Sequence, residues 1–311
     1  MSRMRGFRLA GTYSIVAMDE RRRQMGVAVQ SHYFSVGGTV PWAESGVGAV
    51  ATQSLVDVSY GPLGLALMKA GKTPQQAMRA LTAADPGAET RQVAMLDING
   101  NVAAHTGKDC IPEAGHIVGR GFSVQANLMR NRRIWPAMAK AFKKSKGPLA
   151  HRMMAVLEAA EEAGGDIRGK QSAAMLVVNV KPSGKPWMDR VLELRVEDNP
   201  APLKELRRLI RIHEAYRKSD TAENLLARGK LAKARQLYAE ASDQAPEIEE
   251  MKFWQAVSLL GSNRVEEAAP LFREAFEVNG DWRQVLRSLP RTSAFSITSA
   301  QVRRALRKIR T

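Results

Sequence analysis

Runs of small and β-branched residues alternate twice with helical spacing before the chain turns wholly helical, and that order most restricts its fold. Residues 12–18 and 25–31 read as strands joined by the charged turn Asp19-Glu20-Arg21-Arg22-Arg23. After a loop rich in glycine and aromatics (33–42), a third strand is expected over 47–53. Two helices follow, one over 61–70 and one that Thr73 caps and Pro74 opens, running to Leu81. Strands return at 92–97 and 102–105, joined by Asp97-Ile98-Asn99-Gly100, where Asn-Gly signals a hairpin. A short strand at 122–125, helices over 132–143 and 148–163, and strands over 172–180 and 190–196 complete the series. Strands grouped between paired helices predict two stacked sheets between helix layers, an α+β arrangement. Strict strand–helix alternation is missing, which disfavours a doubly wound sheet, and no phosphate loop or dinucleotide fingerprint is present.

Pro200 and Pro202 mark a boundary, and everything beyond them carries helical spacing. The expected division is an extension over 1–11, a first domain over 12–199 and an all-helical domain over 200–311. Within the latter, Ala234, Tyr238 and Ala241 recur thirty-four residues later as Ala268, Phe272 and Ala275, the tetratricopeptide period. Gly229 has Asn263 as its counterpart, and Pro246 has Gly280. Small residues there let paired helices approach, and the aromatic fills the gap. Two copies fall short of the number that stands alone, so this segment is expected to dock on the first domain or on another subunit.

Charge and cysteine use limit the partners. Lys and Arg number 47 against 31 acidic residues, a formal net charge of +16 that favours contact with anions. The densest cluster is Arg303, Arg304, Arg307, Lys308 and Arg310, read as a solvated, fraying tail. No nucleic-acid motif accompanies it, and at 6% aromatic residues there is little to build a stacking platform, so nucleic acid is not expected as a partner. No apolar run reaches the length of about eighteen residues needed for a membrane span, and the basic N-terminus lacks the apolar core of a signal peptide. One cysteine, Cys110, excludes an internal disulfide and fits a cytoplasmic location. The five histidines are scattered, so neither a metal site nor a cofactor is expected.

Thr12 follows a glycine at the head of an apolar strand. Were the first eleven residues removed, its hydroxyl would become an N-terminal nucleophile and its own amine, titrating near ~7.7–8.0, the general base. The plainer reading is a β-branched residue that starts a strand.

A family resemblance adds to this. The marks are Thr12-Tyr13-Ser14-Ile15-Val16-Ala17, Val47-Gly48-Ala49-Val50-Ala51-Thr52-Gln53, Tyr60-Gly61-Pro62-Leu63-Gly64 and Ala104-His105-Thr106-Gly107. They continue through Cys110, Ala114-Gly115-His116, Gly121-Phe122-Ser123-Val124-Gln125-Ala126-Asn127, the stretch from Gly165 to Ala174, and Leu194-Arg195-Val196-Glu197-Asp198. Together they resemble the bacterial and archaeal family called domain of unknown function 1028, from Thr12 to about Leu209. That family is grouped with the N-terminal nucleophile (Ntn) hydrolases, which implies a four-layer αββα sandwich and Thr12 as nucleophile. Many relatives carry this threonine directly after the initiator methionine or a signal peptide. The eleven extra residues here imply autocatalytic clipping at Gly11-Thr12, a start site placed too early, or an inactive enzyme. Glu113, Ala126 and Asn199 also depart from the family pattern.

Around Thr12 the expected site takes the following form. Asn127 is the candidate oxyanion donor, or else an Asx turn or helix cap, with Gln125 beside it. Ser14 shares the strand face of Thr12, and Gln53 lines the same cleft. Ser31 and His32 end the neighbouring strand; His32 either orients the amine or sits at the surface. His105 and His116 form a polar pocket wall or are structural, and Cys110 is a core residue. Asp166 and Arg168 make a buried charge pair, with Arg168 as a substrate-carboxylate clamp the alternative. The expected activity is hydrolysis of a small amide or peptide-like substrate by a homo-oligomer, with residues 215–290 open to a protein partner. The rival is a non-catalytic binding or assembly protein.

Overall fold

In the computed structural model, which describes residues 9–292 and 297–310, the expected hairpin over 12–31 lies at the centre of a sheet. In chain order the first strands are β1 (Leu9–Ala10), β2 (Thr12–Asp19), β3 (Gln24–Ser31), β4 (Pro41–Glu44) and β5 (Gly48–Leu55). Helices α1 (Tyr60–Lys69) and α2 (Pro74–Ala84) precede β6 (Arg91–Asp97), β7 (Val102–Thr106), β8 (Gly115–Gly119) and β9 (Phe122–Asn127). Then come α3 (Ile134–Lys144), α4 (Leu149–Glu162), β10 (Ser172–Asn179), β11 (Arg190–Val196) and α5 (Pro202–Ala227). One sheet runs β1-β5-β6-β7, with β4 also on β5; the other runs β11-β10-β3-β2-β9-β8. Both are antiparallel.

Alternation along β2 explains how the layers stack. Val16 and Met18 point into a core shared with Val27 and Val29 of the same sheet and with Ala49, Ala51, Ala94 and Leu96 of the other. Thr12 and Ser14 lie on that same face by the period of two. Tyr13 points the other way and its hydroxyl reaches Glu161 on α4 at 2.7 Å. Because β2 is buried on both faces it reads as a nearly continuous apolar run. Helix α4 lies against β2 and β3, and α3 against β8 and β9. On the other sheet, Val50, Val93 and Met95 pack with Tyr60, Leu65 and Met68 of α1 and Met78 of α2.

Local signals set several boundaries. Thr73 Oγ1 accepts from the Gln76 N–H at 3.2 Å while the Thr73 N–H donates to Gln76 Oε1 at 2.9 Å, a capping box that starts α2 at Pro74. Gly100, at φ +81°, makes the expected turn between β6 and β7. Strands β4 and β8 are additional to the sequence reading. Each is short and pairs with one neighbour only, so tertiary pairing and not propensity forms it. Residues 1–8 of the expected extension lie outside the described residues.

The contacts divide the chain into Met1–Arg208 and Leu209–Thr311, so the division falls inside α5 and not at Pro200 or Pro202. Pro202 opens that helix, where its missing N–H leaves no intrahelical bond unmade. The second unit continues with α6 (Leu231–Gln244), α7 (Glu249–Gly261), α8 (Val265–Val278), α9 (Trp282–Ser288) and α10 (Ser299–Arg310). Ala234, Tyr238 and Ala241 on α6, and Ala268, Phe272 and Ala275 on α8, are all buried. Gly229 and Asn263 both turn through the left-handed region, at φ +70° and +59°.

The basic C-terminal stretch is not the fraying tail that its charge suggests. Val302 and Ala305 are buried in the core of α7 and α8, with Leu306 and Ile309 packed beside them. Spacing of three and four residues puts all of these on one face of α10, and its charges on the other. Arg304 and Lys308 approach Glu266 at 3.9 and 3.0 Å. The Arg310 side chain lies outside the described residues. Among the described residues no helix is long and apolar enough to cross a membrane.

Candidate functional site

Sheet register puts Thr12 between two candidate residues. On one side it pairs with Ser31 of β3, on the other with Asn127 of β9. All three are fully buried. Thr12 Oγ1 donates to Ser31 Oγ at 3.1 Å, and Ser31 Oγ donates to the Gly11 carbonyl oxygen at 2.5 Å. Arg168 Nη2 donates to that same oxygen at 2.8 Å. A serine hydroxyl and a guanidinium thus converge on the peptide that precedes Thr12.

Asp166 orients the guanidinium. Its Oδ1 accepts from Arg168 Nε at 3.1 Å and its Oδ2 from Nη2 at 2.7 Å. The Arg168 N–H closes on Oδ1 at 2.9 Å, and the His32 N–H reaches Oδ2 at 3.2 Å. The Asp166 carboxylate is fully buried, and paired, charge-assisted bonds make such a site tenable. The expected charge pair is therefore present, with one guanidinium arm committed to Gly11.

A second layer lies beneath the Thr12 carbonyl, which accepts from Gln53 Nε2 at 3.1 Å and Asn127 Nδ2 at 3.5 Å. Both amides also donate to Gln92 Oε1, at 2.7 and 3.0 Å. Gln92 Nε2 in turn donates to Thr106 Oγ1 and the Ala126 carbonyl, each at 2.9 Å. Thr106 Oγ1 lies 2.8 Å from His116 Nδ1. On the other flank, Ser123 donates to Gln125 at 3.0 Å, Gln125 to Ser14 at 2.6 Å, and Ser14 to Gln53 Oε1 at 2.6 Å. This is a continuous polar layer between two sheets. Its bonds strengthen one another where water is excluded.

Two features mark it as more than filler. Asn127 Oδ1 is buried with no hydrogen-bond partner, which costs about 1–3 kcal/mol. Ser54 and Leu128, the residues directly after Gln53 and Asn127, stand in the left-handed region at φ +74° and +58°. Such backbone costs about 1–3 kcal/mol at a side-chain-bearing residue and gathers where geometry is held for a purpose.

The structure thus brings together Thr12, Ser14, Ser31, Gln53, His116, Gln125, Asn127 and Arg168. His32 contributes only its backbone, its side chain being exposed. His105, one residue before Thr106 on β7, turns to the opposite face and meets the Ala88 carbonyl at 2.9 Å. His116 is held below its ordinary pKa by burial, and further by His105. Cys110 is buried, its thiol reaching the Arg91 carbonyl at 3.3 Å, and burial raises its pKa, which suits a core thiol. Among the described residues no group of three His, Cys, Asp or Glu converges as a metal site.

Asn127 is expected as an oxyanion donor or as an Asx turn or helix cap. Register sets it opposite Thr12, so its amide meets the Thr12 carbonyl, while the Gly11 carbonyl takes Ser31 and Arg168. Gln92, Thr106 and Ser123 are additions to the expected set. The signal for Gln92 was present: it is a polar residue in inward register with Ala94 and Leu96 of an otherwise apolar strand. Thr12 itself has no exposure. A cavity of about 730 Å³, lined by Glu44, Lys69, Val178, Trp187 and Arg190, opens at the far end of β10 from Ser172, the residue that pairs with Ser31.

Comparison with known proteins gives a consistent result. The family model described as a family of unknown function (DUF1028) matches residues 12–206. The crystal structure of protein SPO2555 from Silicibacter pomeroyi, of that same family model, is similar with a TM-score of 0.58 and 30% identity. The similarity covers 64% of this chain and 87% of that one. No curated protein matches.

Proposed function

The chain belongs to the DUF1028 family, and we propose that it is an Ntn-type hydrolase of a small amide or peptide-like substrate, with Thr12 as nucleophile once its amine is free. The observation that carries this reading is the pair of donors on the Gly11 carbonyl, beside a buried Thr12 hydroxyl already bonded to one of them. The order helix pair, sheet, sheet, helix pair supports an Ntn-like αββα sandwich for the first unit.

Those bonds suit release of the amine by the chain itself. Thr12 Oγ1 attacks the Gly11 carbonyl carbon; its proton passes to Ser31 Oγ, and the Ser31 proton passes to the Gly11 oxygen. Arg168 steadies the charge gathering on that oxygen, the role of a preorganised donor. Collapse breaks the bond between the Gly11 carbonyl carbon and the Thr12 nitrogen. The proton carried by the Gly11 oxygen passes to the nitrogen as the carbonyl re-forms, giving the new α-amine, and Gly11 remains as an ester on Thr12 until water hydrolyses it. The unpartnered Asn127 Oδ1, across from Thr12, is an acceptor for the ammonium form of that amine.

In the second unit, the thirty-four-residue recurrence and the matching left-handed turns at Gly229 and Asn263 support a tetratricopeptide-like hairpin pair that engages a protein partner. The full burial of Thr12 favours the second reading, a non-catalytic assembly protein. Intact mass and N-terminal sequencing of the purified wild type beside Thr12→Ala decide between them. The hydrolase reading expects wild type to begin at Thr12 and the variant to keep its extension. An intact extension in both leaves the assembly reading.

A further inference from the structure

We infer that the segment before Thr12 occupies the substrate's own acyl site, and that this site takes an extended peptide whose acyl residue is glycine. The inference rests on the hydrolase reading and deepens it from an amide in general to glycyl amides.

The first observation is backbone pairing. Strand β1 adds antiparallel to the edge of β5, with Leu9 opposite Leu55 and Ala10 opposite Ser54. Strand β4 pairs with the same strand over Gly48 to Ala51, so β1 extends that edge beyond the end of β4. The Leu55 carbonyl is held by Arg91 Nη1 at 2.5 Å, and Arg91 is held by Asp85, so this stretch of β5 is braced independently of β1. Once residues 1–11 leave, the edge at Ser54 and Leu55 offers unpaired backbone groups. An extended chain binds such an edge by strand addition, through its main chain rather than its side chains.

The second observation is steric. A Cβ placed on Gly11 would lie 2.5 Å from Arg168 Nη2 and 2.7 Å from Leu128 Cδ2. The guanidinium wall is held by both Asp166 oxygens, while Leu128 Cδ2 is the end of a half-buried side chain that narrows the same space. The same guanidinium that bonds the acyl carbonyl therefore excludes a side chain from the acyl residue. Recognition and chemistry share Arg168.

In the intermolecular reaction the substrate's glycyl carbonyl takes the place of the Gly11 carbonyl, between Ser31 and Arg168. Thr12 Oγ1 forms an ester with it as the substrate's C–N bond breaks. The hydroxyl proton travels through the Thr12 amine to the leaving nitrogen. Water then adds to the ester, releasing an acid that ends in glycine and restoring the Thr12 hydroxyl.

The test uses full-length protein after its own cleavage, checked by mass, with acetyl-leucyl-alanyl-glycyl p-nitroanilide and its acetyl-leucyl-alanyl-alanyl counterpart. The expected result is turnover of the glycyl probe with kcat/KM at least about 50-fold above the alanyl one, within the range a single carbon in a closed pocket commands. Leu128→Gly, which removes one wall and tolerates the backbone, should narrow that ratio to below about 10-fold. Cleaved wild type that hydrolyses both probes equally, or neither, overturns the glycyl site and leaves self-cleavage standing. Wild type that stays intact by mass overturns the hydrolase reading itself, and the glycyl site with it.

Discussion

The space between the two sheets changes character halfway along β2. At one end Val16 and Met18 meet Met25, Val27, Ala49 and Leu96 in a wholly apolar core. At the other, Thr12 and Ser14, on the same face of the same strand, meet Ser31, Gln53 and Gln125 in a layer of hydrogen bonds, with Gln92 behind Gln53. The pairing of β2 with β3 runs unbroken through both ends. What differs is the cost of error: a methyl lost from the apolar end leaves a void, whereas a donor lost from the polar end leaves a buried partner unmet. One end holds the sheets together, and the other spends that stability on positioned polar groups.

Mutations should separate the two ends. Leu96→Ala strikes the apolar end, where the side chain is fully buried, and is expected to cost about 2–5 kcal/mol in urea unfolding. The rate at which the folded fraction sheds its first eleven residues should stay within about twofold, since Leu96 packs within the apolar cluster around Val16 and Met18. A large fall in that rate would mean that the two ends act as one unit. Ser31→Ala makes the reverse cut. Cleavage at Gly11–Thr12, followed by mass spectrometry, should slow about 10²–10³-fold, the loss typical of one oxyanion donor, while the loss of buried hydrogen bonds has a smaller cost of about 1–3 kcal/mol in urea unfolding. Equal loss of stability and cleavage in Ser31→Ala would assign the serine to packing alone.

The smallest effect is electrostatic. His116 closes the polar layer through Thr106, and burial holds its folded pKa below the ordinary value of about 6.5. The unfolded chain therefore binds a proton that the folded chain refuses, between the depressed pKa and about 6.5. Stability from this group is fully present above about pH 6.5 and declines as pH falls through that window. His116→Gln should flatten that part of the Tm-versus-pH curve by a few degrees at most. An unchanged slope in the variant would place the pH response elsewhere.

How much of this was legible depends on the range over which each feature is decided. The α2 capping box and the Asn99-Gly100 turn are settled by residues within four positions of each other, and reading them needed nothing else. The polar side chains at 12, 14, 31, 53, 125 and 127 were legible from their places at strand heads, strand ends and shared strand faces and from the family motifs that contain them. Gln92 interrupts an apolar strand, yet its partners come from β5, β7 and β9, which no local pattern connects. The C-terminal helix shows the opposite case. Its apolar positions at 302, 305, 306 and 309 were visible, but its positive charges drew attention away from the stripe that buries it.

What the sequence determined by itself is the alternation: which residues on each strand face inward, where two helices interrupt the strands, and where the helical half begins. Those follow from periods of 2 and 3.6 residues and from proline and glycine chemistry, all short-range properties of the chain. Only the tertiary structure decided that Thr12 stands between Ser31 and Asn127, that Arg168, oriented by Asp166, reaches back 157 residues to the Gly11 carbonyl, and that Leu128 crowds the same glycine. Antiparallel register and sheet stacking set those meetings. Each depends on the burial of whole faces, which the chain settles collectively and not one residue at a time.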